Sequence, residues 1–494
     1  MNKLGFFILF VSVAVPIVHG DNGNDTISLT LDETIIRARA ESVDAAVALN
    51  ELKTAYWEYR TYRAELLPEI SFNATLPSYH KQYSTYMNDE GNYSFVRNNY
   101  LQMNGELSVS QNIWLTGGTL SLNTSLDFLR QLDGDKYNRF MSIPVALTLN
   151  QPIFGVNSIK WDRRIEPVRY SEAKSAFLTA TEEVAMTAIN YYFSLLMSTE
   201  NMSIARQNLE NAEKLHEVAK VKREMGKISK NDLLQMELNL LNAQSAMTDC
   251  QSTAQSDMFK LCSFLGYNAS TYINTHIPSH IPLTEINYQD AIDKALANNK
   301  LAKNLRRRQL EADYAVAKAK GEMREISLFA QVGFTGTDHI AGRAYSNLKD
   351  NQVVEIGVKI PLVDWGRRKG NVKVAQSNRD VVESRLRQEM QNFNQDLFIL
   401  VERFSNQKKQ LEIASRADEI AQQRYKTNIE TFLIGKISTL DLNDSQVKKD
   451  EARREYVNQL FRYWYYFYQL RSLTLWDFEN SRGIDADIEK IVKQ

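Results

Sequence analysis

Apolar residues recur along this chain with two periods, and stretches of the two alternate. Ile70, Phe72, Ala74 and Leu76 interleave with Ser71, Asn73 and Thr75. Ile326, Leu328, Ala330 and Val332 repeat the pattern, as do Val145, Leu147 and Leu149, and then Val354, Ile356, Val358 and Ile360. A period of two predicts strands whose faces meet different media. Glu355 and Lys359 lie opposite the last apolar row, which suits lipid on one side and water on the other. A half-buried strand of a soluble sandwich gives the same alternation. A further hairpin is predicted where Met103, Leu107, Val109 and Ile113 lead to Gly117-Gly118 and Leu120, Leu122, Leu126 and Phe128 lead away. Tyr79, Tyr83, Tyr86, Tyr93 and Tyr100 flank it, as loop aromatics or an interfacial girdle.

The second period is helical. Helices are expected from Leu31 to about Leu67 and from Tyr288 to about Met323. Ser171 to Met225 contains neither proline nor glycine, enough for a helix of roughly 80 Å at 1.5 Å per residue. No proline follows Pro361, and Met390, Phe393, Leu397, Leu400, Phe404 and Leu411 step by threes and fours, a coiled-coil spacing. The aromatic run Phe461 to Tyr468 reads as packing against neighbouring helices.

The chain also contains itself twice. Gly226-Lys227-Ile228-Ser229 returns as Gly435-Lys436-Ile437-Ser438, and the same spacing relates Pro152 to Pro361. The organisation expected is a signal peptide at 1–20, a first repeat at 21–273, a connecting loop at 274–287, a second repeat at 288–475 and a tail at 476–494. Such a repeat must bury its apolar face on its twin or on other subunits. Each Gly-Lys-Ile-Ser reads as a turn between two long antiparallel helices. Ser229 with Asp232, and Ser438 with Asp441, fit a capping-box variant at the following helix. Asp444 shares a helical face with Asp441. It is either a solvated acidic position or, if several subunits meet at an axis, part of a negative ring that admits cations.

Composition narrows the classes. Formal net charge is −1, so the basic stripe needed for nucleic acid is absent. Lys3, the apolar run Phe6 to Val18 and the polar residues after Gly20 read as a secretion signal. Elsewhere no run is long enough for a transmembrane helix, although strands can still enter a membrane. Cys250 and Cys262 fall in one predicted helix, roughly 18 Å apart, too far for a disulfide. His276 and His280 are separated by Pro278, which breaks helical metal-ligand spacing. No constellation for catalysis is present, and no cofactor or metal is expected.

The opening Leu29-Thr30-Leu31-Asp32-Glu33, the segment Leu147 to Gly155 and the two glycine turns resemble the TolC-like outer-membrane efflux protein family over nearly all of the mature chain. The resemblance implies an α+β membrane protein: a homotrimer sharing one outer-membrane β-barrel, with about four strands per protomer, continued by a long α-helical coiled-coil tunnel in the periplasm. The Gly117-Gly118 hairpin extends outside that barrel or adds strands to it. By the resemblance, Gly226, Lys227, Ser229, Gly435, Lys436 and Ser438 belong to the periplasmic tip, where an adaptor (membrane fusion) protein docks beside an inner-membrane transporter. Asp441 and Asp444 then fall at the tip constriction and Asp232 at its first-half counterpart. Pro152, Pro361 and Trp365 mark strand ends at the lipid interface. Phe432 stands where some relatives carry a latching tyrosine, so that hydroxyl bond cannot form. The function implied is passive conduction from pump to exterior. The competing reading is a non-conducting periplasmic coiled-coil structural or adhesion protein.

Overall fold

A computed structural model of the chain describes residues 26–87, 91–134, 136–268, 271–278, 280–282, 284–323, 325–359, 363–433, 436–486 and 488–493. The signal-peptide assignment and the Pro361 and Gly435 positions lie outside the described residues. The first half runs β1 (Thr26–Leu29), α1 (Leu31–Glu41), α2 (Val43–Glu65), β2 (Glu69–Met87), β3 (Tyr93–Ile113), β4 (Gly118–Gln131), β5 (Asn138–Pro152), α3 (Ser158–Glu224), α4 (Lys230–Phe264) and β6 (Tyr272–Thr275). The second runs α5 (Tyr288–Asn298), α6 (Lys300–Gly321), β7 (Glu325–Asp338), α7 (Ala341–Ala344), β8 (Leu348–Lys359), α8 (Arg367–Leu433) and α9 (Thr439–Thr474), followed by β9 (Trp476–Asp477), β10 (Arg482–Gly483) and α10 (Ile488–Lys493). The protein is therefore α+β. None of the described helices is long and apolar enough to cross a membrane.

The chain forms two compact units, each drawing on both halves. Among the described residues, one draws on 26–42, 187–281 and 414–461, and the other on 43–186, 282–413 and 462–493.

The second unit holds one antiparallel sheet ordered β2-β3-β4-β5-β7-β8. The sheet has six strands where about four per protomer, with more left open, were expected. The Gly117-Gly118 hairpin joins β3 and β4, both full members, so it adds strands to the sheet. Its turn occupies 114–117, with Gly117 at φ 78° and Gly118 already in β4. A side chain at 118 would collide with the Gln151 amide. Register sorts the two faces. Ile70, Val109, Leu122, Leu147 and Val332 stand in one cross-strand row, and Leu120, Leu149, Ala330 and Val354 in another. On the reverse face Ser71, Ser108, Asn123, Ala146, Gly333 and Asn351 form a row. The polar face is tied across strands by Ser71–Ser108 at 2.8 Å, Ser110–Ser121 at 3.1 Å and Asn104–Asp127 at 2.7 Å. Most of the apolar face is uncovered, with Ile70 70 % exposed and Val354 72 %, while Ala344 lies against it at Ser142 and Gly336.

The core of this unit lies among its helices. Leu397, Leu400 and Phe404 of α8 are buried, as are Tyr463, Trp464 and Phe467 of α9, and the Phe404 ring lies 5.1 Å from that of Tyr463. The aromatic run packs, as its helical spacing requires. Arg471 joins the buried Glu182 and Asp477 in ion pairs of 3.2 and 3.0 Å. The tail folds back, with Val492 against Leu52.

Two helix expectations need correction. The two opening helices are pairs, broken at Ser42 and Asn299, both in extended conformation. Asn299 caps α6 through Leu301 N–H and donates to the Leu473 carbonyl, so a polar capping residue within an apolar pattern interrupts the helix. The third helix starts at Ser158, upstream of the expected Ser171, and carries Pro167 inside it. It continues for 67 residues, as does α8, or roughly 100 Å each.

In the first unit β1 and β6 pair in parallel, a contact that the connecting-loop assignment missed. The buried Tyr192 hydroxyl donates to the His276 carbonyl at 2.6 Å, accepts His276 N–H at 3.0 Å and lies 3.2 Å from the Leu29 carbonyl. Burial pushes this phenol up to about 12, with the His276 hydrogen bond opposing. Tyr192→Phe strips a buried backbone pair of its partner and is predicted to cost about 1–3 kcal/mol. A thermal unfolding midpoint equal to that of the unmodified protein would contradict this.

Candidate functional site

The two glycine turns are the sequence's clearest candidate site, and both fall in the first unit. The first follows from helix-termination chemistry. Gly226 sits at φ 70°, where side chains are disfavoured. Gly226 N–H donates to the Arg223 carbonyl at 2.9 Å and Lys227 N–H to the Lys222 carbonyl at 2.8 Å, the two bonds of a Schellman end. Lys436 N–H repeats the second bond on the Thr431 carbonyl at 3.1 Å.

Both following helices open with the reciprocal cap. Asp232 N–H donates to Ser229 Oγ at 3.1 Å, and Ser229 N–H and Oγ donate to Asp232 Oδ2 at 3.0 and 2.8 Å. Ser438 and Asp441 repeat all three bonds at 3.2, 3.2 and 2.7 Å. The serine side-chain and backbone bonds hold both carboxyls below their ordinary value of 3.8, burial opposing weakly, with the Arg424 charge adding at Asp441. Asp232, Asp441 and Asp444 are all exposed, as are Lys227 and Lys436.

Two neighbours of the turns were not legible as partners. Arg424 pairs with Asp444 at 2.7 Å, both side chains half exposed. Arg424 and Asp444 lie almost symmetrically about the second turn, and counting outward from Gly435 would have found them. Lys222 Nζ lies 5.3 Å from the centre of the Phe432 ring. The position without a hydroxyl thus makes a cation–π contact instead.

Of the strand-end residues, Pro152 closes β5 opposite Ser327. Trp365 is 96 % exposed at φ 54°, just before α8. Asp364 holds this connection by accepting Gly366 N–H at 2.9 Å and Arg368 N–H at 3.2 Å, while Arg368 donates to the Glu322 and Met323 carbonyls.

The sequence profile of the outer membrane efflux protein family matches residues 117–267 and 291–470, more than half of the chain and one segment from each half. The chain belongs to the outer membrane efflux protein family. Its members and the structures it resembles are channel proteins rather than enzymes. The fold is similar to the CmeC outer membrane channel of Campylobacter jejuni, with TM-score 0.66, 16 % identity, and coverage of 94 % of this chain and 88 % of that one. The outer membrane protein VceC of Vibrio cholerae gives TM-score 0.64, 14 % identity, and coverage of 92 % and 97 %. The MtrE outer membrane channel of Neisseria gonorrhoeae, solved in an open state, gives 0.58, 13 %, and 92 % and 91 %. No curated protein matches the sequence significantly.

Both caps depend on ionised aspartates whose pKa is depressed on folding, so their contribution is complete above 3.8 and disappears as pH falls through the lowered values. Hydrogen exchange corrected for intrinsic rates should show constant protection at the N-terminal turns of α4 and α9 from pH 7 to about 4, and fraying below. Fraying already at pH 6 would contradict the assignment.

Proposed function

We propose that this chain is the outer-membrane channel of a tripartite efflux or secretion system and passively conducts solutes from a pump to the exterior. The observation that carries the reading is the mostly uncovered apolar face of a six-stranded sheet whose polar face is hydrogen-bonded across strands. Water disfavours such a face, whereas a lipid-facing barrel wall requires it. A soluble adhesion coiled coil has no use for it.

Closure follows from strand number. An isolated sheet cannot lie in hydrocarbon with unpaired edges, and β2 and β8 are its edges. Six is even, so β8 of one copy meets β2 of the next in antiparallel sense. Three copies supply strands in the range, about 16–18, at which barrels hold an aqueous channel. The strands have 12 to 21 residues, beyond the ~9–11 needed to span a bilayer. The two 67-residue helices and their hairpin partners then form the periplasmic tunnel.

In this reading Gly226, Lys227, Ser229, Gly435, Lys436 and Ser438 form the tip that meets an adaptor protein, which links the channel to an inner-membrane transporter. Asp441 and Asp444 line the constriction, with Asp232 as the first-half counterpart. Trp365, Pro152 and Pro361 lie at the inner lipid interface.

The test is conductance in planar bilayers. Asp441→Ala with Asp444→Ala should raise single-channel current and weaken cation selectivity. Arg424→Ala, which frees the Asp444 charge, should strengthen selectivity. Both effects should fade toward 1 M salt, where charges are screened within about 3 Å. Unchanged current and reversal potential in low salt would defeat the constriction assignment, and a soluble, electrically silent protein would defeat the channel itself.

A further inference from the structure

The apolar face of the sheet is uneven, and the unevenness has a defined shape. Phe72 and Leu107 form one bulky row, Met103 and Phe128 another, and Leu76, at the register shift in β2, lines the groove with them. Between them the floor falls to Ala74 and Gly105, and the Phe72 ring lies 3.8 Å from where a Gly105 side chain would begin. The result is a groove of about 490 Å³ that Tyr345 also lines, within the ~300–1,000 Å³ of ligand-sized sites.

Tyr345 is held there by the chain before it. Ser142 Oγ donates to the Ala344 carbonyl at 2.6 Å, and Ala344 is fully buried. A side chain at Gly336 would collide with that carbonyl. The segment 341–345 is therefore seated on the apolar face as a fixed wall of the groove.

Just beyond the groove, on the same face, the side chains change character. Tyr79, Leu101 and Arg130 form the next row, followed by Lys81 and then by Tyr83 with Arg97. Tyr79, Tyr83, Lys81 and Arg130 are exposed, whereas Arg97 is tied to Asp133 at 2.6 Å. These rows lie toward the hairpin end of the sheet, away from the ends joined to α2, α3, α6 and α8.

We propose that this surface is a binding site for a phosphorylated glycolipid of the outer leaflet, resting on the reading that the apolar face meets lipid. One acyl chain fills the groove. Lys81 and Arg130 take the lipid phosphates, and the Tyr79 and Tyr83 rings face the sugars. Charge order along the strand favours this occupant over a zwitterionic phospholipid: hydrocarbon side chains come first, then cations interleaved with aromatics, which matches acyl chain, phosphate and sugar in sequence.

The test uses the full chain, delipidated in mild detergent and titrated with purified lipid A or with phosphatidylethanolamine, bound lipid being counted by native mass spectrometry. Lipid A should bind at concentrations where phosphatidylethanolamine does not. Lys81→Glu with Arg130→Glu should weaken lipid A binding by about fivefold or more for each cation removed. Gly105→Leu, which fills the groove, should weaken it without altering the cations. Equal binding of the two lipids, or lipid A binding unchanged in both variants, overturns the site. Single-channel current from the same samples separates the two readings. Current without lipid A preference rejects this site alone, and current absent from every sample rejects the lipid-facing reading together with the site.

Discussion

A sheet with hydrocarbon on one face and two unpaired edges is stable alone in neither water nor lipid. Water penalises the row from Ile70 to Val332, and lipid penalises the free N–H and C=O groups of β2 and β8. In the proposed reading lipid covers the face and another copy of the sheet pairs the edges. The rest of the architecture follows from this constraint. The strands of the sheet are long and even in number, polar side chains are tied to each other on the face away from the apolar rows, and α2, α3, α6 and α8 all attach at one end of the sheet.

The helices obey a different rule. Helices of 67 residues draw little stability from propensity. They are held by buried stripes such as Leu397, Leu400 and Phe404 and by the aromatic run of α9. Where two long helices must reverse direction, the chain uses the same device twice: a lysine N–H that bonds back to the end of the first helix, then a serine–aspartate cap on the next. The turns share a backbone solution but differ in charge. Asp232 only caps, whereas Asp441 caps beside an ion-paired Asp444. The two turns share their cap geometry and differ in the charge beside it, and the proposed constriction draws more on the second turn than on the first.

Much of this was legible in the sequence, for physical reasons. Alternation at Ile70–Leu76 and Val354–Ile356 reports a two-faced sheet because side-chain direction has a period of two. The caps were readable because a serine three residues before an aspartate can exchange side-chain-to-backbone bonds with it where a helix start leaves N–H groups free. The full strand count was not, because the Gly117-Gly118 hairpin alternates equally well inside or outside a barrel and only register distinguishes them. The breaks at Ser42 and Asn299 sit inside unbroken apolar patterns. The β1–β6 pair joins segments of four residues far apart in sequence. Lys222 carries no local signal, since its partner Phe432 lies on a different long helix in the other half of the chain.

Closure of the sheet by neighbouring copies is tested most directly by cysteine cross-linking of its two edges. Cys250 and Cys262 are first replaced by serine. A cysteine at Asn351 in β8 is then combined in turn with one at Ser71, Asn73 or Thr75 in β2. Oxidation in outer membranes should link β8 to β2 at one of these positions, in a ladder that stops at three chains. Unlinked monomer at every position, or a ladder without an end, would contradict a closed barrel of three copies.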